Sequence, residues 1–163
     1  MRLFDGLDHT DYQDLLRALG RECDHAALRD LRLIEIDNGL RLQFRYVDDL
    51  AAGFQDFTYD DNALLTLLQE SYTLRGRGTE ELTVHSPLGM HYQQLLRAIG
   101  RVFDQDGMRD LRFIEQPNKI LIQASTGVLR RGFRSYHLSV IQMHDLVSAT
   151  LSGTPAGFGP AQD

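Results

Sequence analysis

Leu15–Arg21 reads "LLRALGR", and eighty residues later Leu95–Arg101 reads "LLRAIGR". The same amphipathic turn is written twice with a glycine at the same place. Working outward, residues 11–44 align with 91–124 without a gap, and 17 of the 34 positions are identical. The shared positions include Tyr12/Tyr92, Arg17/Arg97, Gly20/Gly100, Arg21/Arg101 and Asp24/Asp104. "RDLRLIE" (Arg29–Glu35) then answers "RDLRFIE" (Arg109–Glu115). The match continues more weakly, with "GFQDFTY" at Gly53 facing "GFRSYHL" at Gly132. Two copies at this spacing describe an internal duplication, whereas a solenoid needs three or more units.

Each copy carries the same succession of periodicities. Tyr12, Leu15, Leu16, Leu19 and Cys23 recur at helical spacing, as do Tyr92, Leu95, Leu96, Ile99 and Phe103. Thr10 with Gln13 reads as a capping box, and Ser86-Pro87 as a cap followed by a first-turn proline. Strands are predicted near 30–36, 40–47 and 54–59, the first two joined by a turn at Asp37-Asn38-Gly39. The second copy repeats them, with a third strand near 133–139. Helices over about 61–73 and 140–151, capped by Asp60 and Ser139, close the copies. The predicted fold class is therefore α+β: a duplicated α-β-β-β-α unit with two antiparallel three-stranded sheets, related by a pseudo-two-fold axis and sharing a core. The copies span 1–76 and 82–152, and residues 153–163, rich in Gly and Pro, read as a disordered tail. A half of this size buries too little alone. Edge-to-edge and face-to-face packing of the halves both satisfy the pattern.

Composition narrows the function classes. Apolar residues make up 42% and charged residues 25%, which is globular usage. The formal net charge of −6 argues against a non-specific polyanion binder. One cysteine, Cys23, allows no intrachain disulfide and suits a reducing, cytoplasmic setting. Residues 1–20 lack the pattern of a signal peptide, and no stretch has the apolar length to cross a bilayer. No membrane role is expected.

Chemistry-bearing motifs are lacking. There is no His-Glu-x-x-His, no paired-cysteine metal pattern, no Gly-rich phosphate loop with a following Lys and no Gly-x-Ser-x-Gly elbow. The six histidines do not recur between copies; His85 with His91, and His137 with His144, are the pairs that proximity in sequence offers. Cys23 occupies the position of Phe103 and reads as core. No cofactor, metal or catalytic residue is assigned.

The recurring polar residues and the uneven charge are the remaining leads. Glu35 and Glu115 alternate with core residues on their strands, which places a carboxylate on the buried face. The expected network joins Arg21, Glu35, Arg101 and Glu115, each glutamate pairing with the arginine of its own helix. Asp24 and Asp104 are alternative partners for those arginines. The two glycines read as close approach of helix to sheet, and "RDLR" as an Asp side chain holding backbone amides, with a symmetric anion or peptide site made from Arg29, Arg32, Arg109 and Arg112 as the alternative. Residues 116–144 carry Lys119, Arg130, Arg131 and Arg134 and no acid, whereas the matching region of the first copy is rich in aspartate. Those four cations form the candidate interaction surface, for an acidic partner or for self-association.

The favoured reading is a protein–protein interaction or adapter module, with open sheet edges that accept a partner strand. A small-molecule binder or enzyme with its site between the repeats is the alternative. The α-β-β-β-α order resembles that of double-stranded-RNA-binding domains, which implies nucleic-acid binding. This chain departs from them by lacking a lysine cluster at the Ser139 helix start and by its acidic first copy.

Overall fold

The computed structural model describes residues 11–36, 39–73, 84, 86, 88–126 and 133–161. The first half runs α1 (Tyr12–Ala26), β1 (Leu28–Ile36), β2 (Gly39–Tyr46), a 3-10 turn (Leu50–Ala52), β3 (Gln55–Asp60) and α2 (Asp61–Thr73). The second runs α3 (Tyr92–Asp106), β4 (Met108–Gln116), β5 (Lys119–Thr126), β6 (Phe133–Ser139) and α4 (Val140–Ser152). The expectation of two separate three-stranded sheets is corrected: the six strands form a single antiparallel sheet in the order β3-β2-β1-β4-β5-β6. β1 and β4 join the halves, meeting at Arg32 opposite Arg112. The physical reason is edge pairing. Each half alone would expose two sheet edges, and pairing β1 with β4 leaves only β3 and β6 at the rims.

Helices cover one face. Alternate strand residues such as Leu31, Leu33, Leu42, Phe113 and Ile122 point into a single core with Leu15, Leu16, Leu95, Leu96 and Phe103 from α1 and α3. The helical spacing seen in the sequence is thus the buried stripe of each helix. α1 and α3 run antiparallel and touch backbone to backbone. A Cβ at Gly20 would lie 2.7 Å from Gln93 Cα and closer still to the Tyr92 carbonyl, and one at Gly100 would lie 2.7 Å from Gln13 Cα. The glycines therefore serve helix against helix, not helix against sheet.

That approach allows each helix to cap the other. Asp24 Oδ1 and Oδ2 accept from the Tyr92 and Gln93 amides at 2.7 and 3.1 Å. Asp104 accepts from the Tyr12 and Gln13 amides at 2.9 and 3.0 Å. The Tyr12, Gln13, Tyr92 and Gln93 amides at the two helix starts are satisfied by aspartates in the last turns of the opposite helix. Local caps differ from expectation as well. Asp11, not Thr10, caps α1 through the Asp14 amide. α3 begins at Tyr92 behind His91, while Ser86 holds a turn through the Leu88 amide. Asp60 and Ser139 cap α2 and α4, the latter as a full capping box. The turn at Asp37-Asn38 and the linker near 75–81 lie outside the described residues.

The segment after α4 read from composition as a disordered tail, yet Phe158 is 5% exposed and packs its ring against Phe103 and Tyr136 at centroid distances of 6.2 and 5.2 Å.

Glycine in a helix interior ordinarily costs about 1 kcal/mol relative to alanine, so Gly→Ala is normally stabilising. Here the sign reverses. Gly20→Ala or Gly100→Ala must displace opposing backbone, and urea denaturation should show a loss of about 1–3 kcal/mol. An unchanged or raised midpoint would refute the backbone contact.

Candidate functional site

The seam between β1 and β4 is held by side chains more than by a ladder. Asp30 and Asp110 sit at bulges with left-handed φ values of 55° and 57°. This conformation is uncommon outside glycine, and Asp tolerates it better than most residues. At the bulge each carboxylate reaches across the seam. Asp110 Oδ1 accepts from the Glu35 amide and Asp30 Oδ1 from the Glu115 amide, both at 3.0 Å. "RDLR" therefore does hold backbone amides, but those of the opposite half and from within a strand.

Glu35 pairs with Arg109 of the other half, at 2.7 and 2.6 Å in a two-pronged contact, and accepts from Tyr12 Oη at 2.5 Å. Its counterpart Glu115 has Arg29 Nη2 at 3.6 Å, and both its carboxylate oxygens are buried without a hydrogen bond. The halves differ because Asp30 draws both Arg29 Nε, at 3.1 Å, and Arg45 Nη1, at 2.9 Å. Asp110 instead accepts from Ser125 Oγ at 3.0 Å, where the first copy has Arg45. With a hydroxyl serving Asp110, Arg109 turns its fork to Glu35.

Burial pushes the Glu115 carboxyl from 4.5 up to about 7, against the opposing pull of the Tyr92 hydroxyl and the Arg29 charge. Burial, reinforced by the Glu35 charge, holds the Tyr12 phenol well above its ordinary value, so it stays a neutral donor. The Cys23 thiol is raised by burial first and by Asp24 next, which removes thiolate chemistry at that position.

The expected network of Arg21, Glu35, Arg101 and Glu115 is thus not assembled as drawn. The glutamates take Arg109 and Arg29. Arg101 instead donates to the Ala149 carbonyl at 3.0 Å, in the last turn of α4, and Arg21 lies half-buried on α1. Of the candidate surface, Arg130 and Arg131 lie outside the described residues. Lys119 faces Ser139 and Arg134 faces Ala124. Those positions are five residues apart along β5, roughly 17 Å, and of opposite parity, so the two cations stand on opposite faces.

An open cleft of about 330 Å³ does lie where the halves meet, beside Tyr12, Phe103, Asp104 and Arg109. Its polar groups are engaged in the caps and ion pairs just described. Among the described residues no group of three or more His, Cys, Asp or Glu could hold a metal ion. His144 Nε2 lies 3.2 Å from the Leu88 carbonyl, and His85 lies outside the described residues.

Sequence reasoning grouped Arg32 and Arg112 with Arg29 and Arg109 but did not separate them onto the face of the sheet away from the helices, while Arg29 and Arg109 turn to buried carboxylates. No described element covers that face. Ile34 is 40% exposed there and Ile36 37%, with Phe133 at 38% beside β5. At its centre Arg32 and Arg112 are paired across the two-fold. The Arg32 guanidinium lies 3.8 Å from the Phe54 ring centroid, and that of Arg112 lies 4.2 Å from Phe133. The signal was present: Arg32 alternates with Leu31 and Leu33, and Phe54 and Phe133 are equivalent positions in the two copies.

Comparisons with protein-family models, with curated proteins and with solved structures returned no match. Among the described residues no helix is long and apolar enough to cross a membrane.

The raised Glu115 carboxyl fixes a sign. Between 4.5 and about 7 the folded chain holds a proton that the unfolded chain has released. The stability this proton confers is therefore present at low pH and lost as pH rises through about 7. Asp104, raised chiefly by burial, moves the same way. Glu115→Gln isolates the first effect. Thermal melts should show the variant gaining on the wild type by about 1–3 kcal/mol between about pH 5 and pH 8. A constant difference across that window would refute the assignment.

Proposed function

We propose that this chain is a protein-interaction module whose working surface is the face of its six-stranded sheet that no described element covers. The observation that carries the reading is the central strip of that face, where exposed Ile34 and Ile36 lie beside two arginines stacked on aromatic rings. Apolar side chains beside Arg and aromatic residues are the composition that interface centres favour. The other side of the sheet is occupied by helices, and the polar groups between the halves are spent on holding them together. The outer strands β3 and β6 leave a strand edge at each rim, which adds a second way for a partner to extend the contact.

Site-specific photocrosslinking in cells tests the reading. A photoreactive residue in place of Ile36, on the sheet face, should give one or a few discrete protein adducts. One in place of Ile141, 72% exposed on the helix layer, should not give the same bands. The reading fails if the Ile36 position yields no adduct, or only those that Ile141 also yields.

A further inference from the structure

The two central arginines specify what kind of partner the face takes. Arg32 and Arg112 are directly opposed on neighbouring strands. Like charges so placed repel, and nothing in the sheet relieves them. Other cations of the same face are neutralised: Arg41 pairs with Asp56 at 3.0 Å and Arg45 with Asp30 at 2.9 Å. Among the described residues neither the Arg32 nor the Arg112 guanidinium meets a carboxylate; each meets a ring. Stacking on Phe54 and Phe133 holds the planar groups over the sheet and leaves their N–H edges for a ligand. The rings lie outward of β2 and β5, so each guanidinium leans from the seam towards its own half, and each fork by itself matches the oxygens of a carboxylate.

The surroundings favour a peptide over a free anion or a nucleic acid. Ile34, Ile36, Ile114 and Leu121 flank the arginines with apolar surface, which accepts side chains and not a phosphate backbone. The chain carries −6 overall, which disfavours a long polyanion relative to a short acidic segment.

We infer that Arg32 and Arg112, braced by Phe54 and Phe133, form a two-fold-related clamp, with one anchor in each half, for acidic side chains of a partner segment that alternates acidic and apolar residues. This rests on the interaction face proposed above and adds the chemistry of its occupant.

The probe is a fluorescein-labelled acetyl-(Glu-Leu)4-amide peptide titrated with the full chain by fluorescence anisotropy. Saturable binding that weakens with salt is expected. It should fall by about tenfold or more in the Arg32→Gln/Arg112→Gln double variant. Lys119→Gln, the same loss of charge on the same face at a distance, should change it by less than about twofold. The (Lys-Leu)4 counterpart should not bind. Should the double variant fail to fold by circular dichroism, the wild type still answers. The side-chain Nε–H resonances of Arg32 and Arg112 should shift on adding the peptide.

The inference is overturned if wild type shows no binding up to about 1 mM, or if Lys119→Gln weakens it as much as the double variant. It is also overturned if neither resonance shifts, or if a single-stranded RNA oligomer binds more tightly through the same arginines. Photocrosslinks at Ile36 that persist unchanged in the double variant would sink the clamp while leaving the interaction face standing. Their absence in the wild type would remove the face itself.

Discussion

The contact between the backbones of α1 and α3 sets the distance on which the remaining architecture depends. Gly20 and Gly100 have no side chain because the opposite helix occupies that space. With the helices this close, Asp24 and Asp104 reach the first amides of the partner helix, and Tyr12 reaches Glu35. A side chain at either glycine would lift one helix away from the other and withdraw all of these bonds together. The crossing also lies over the seam of the sheet, so the β1–β4 contact needs only one directly opposed pair, Arg32 with Arg112, besides the two aspartate bridges. Helix layer and sheet seam stabilise each other, and each half satisfies the first two helix amides of the other, at Tyr12 and Gln13 or at Tyr92 and Gln93.

The two-fold arrangement is not kept evenly, and the difference traces to position 45 and its equivalent 125. Arginine there competes for Asp30; serine serves Asp110 with a hydroxyl. A cation added near Asp30 leaves Arg29 shared and Glu115 loosely paired, whereas the hydroxyl frees Arg109 for Glu35. The difference between Arg45 and Ser125 thus accompanies the looser pairing of Glu115 on β4, whose carboxyl is raised chiefly by its burial. A buried carboxyl with an incomplete set of partners is costly when charged, and the chain meets that cost by keeping a proton on Glu115 to higher pH than an ordinary glutamate.

Much of this was legible in the residues. Helical spacing at Leu15, Leu16 and Leu19, alternation at Leu31 and Leu33, and the repeat itself identify the elements and their order. What periodicity cannot convey is which strand edges meet. A period of two assigns residues to faces but says nothing about lateral neighbours, so one sheet and two sheets share a pattern. The recurring polar residues misled for a related reason. Glu35 and Arg21 are near in sequence, and local pairing is the natural assumption. In this two-fold arrangement a repeated charged residue also has partners in the other copy, and Arg109 is found there. Asp24 and Asp104 reach only across the axis in their bonds to the helix starts, while Asp30 and Asp110 bond both across it and within their own copy. Repetition of a charged residue in both copies signalled that partners across the axis had to be considered.

The same geometry bears on the face that no described element covers. Joining two α-β-β-β-α halves at β1 and β4 puts their helices on one side of the sheet by symmetry, because a two-fold axis perpendicular to the sheet cannot move a helix to the other face. One face is closed by construction and the other is left to the side chains. Most outward positions there are polar or internally paired, as a solvated antiparallel sheet requires. The exceptions lie along the seam: an arginine from each half, each stacked on an aromatic residue that follows or closes the corresponding segment of its own copy. A seam that serves only to join two strands gains nothing from opposed cations. Their strand positions flank the axis while their guanidiniums lean onto rings on either side of it, so a segment that engages both would span β1 and β4 across the same join that the glycine crossing secures from the opposite side of the sheet.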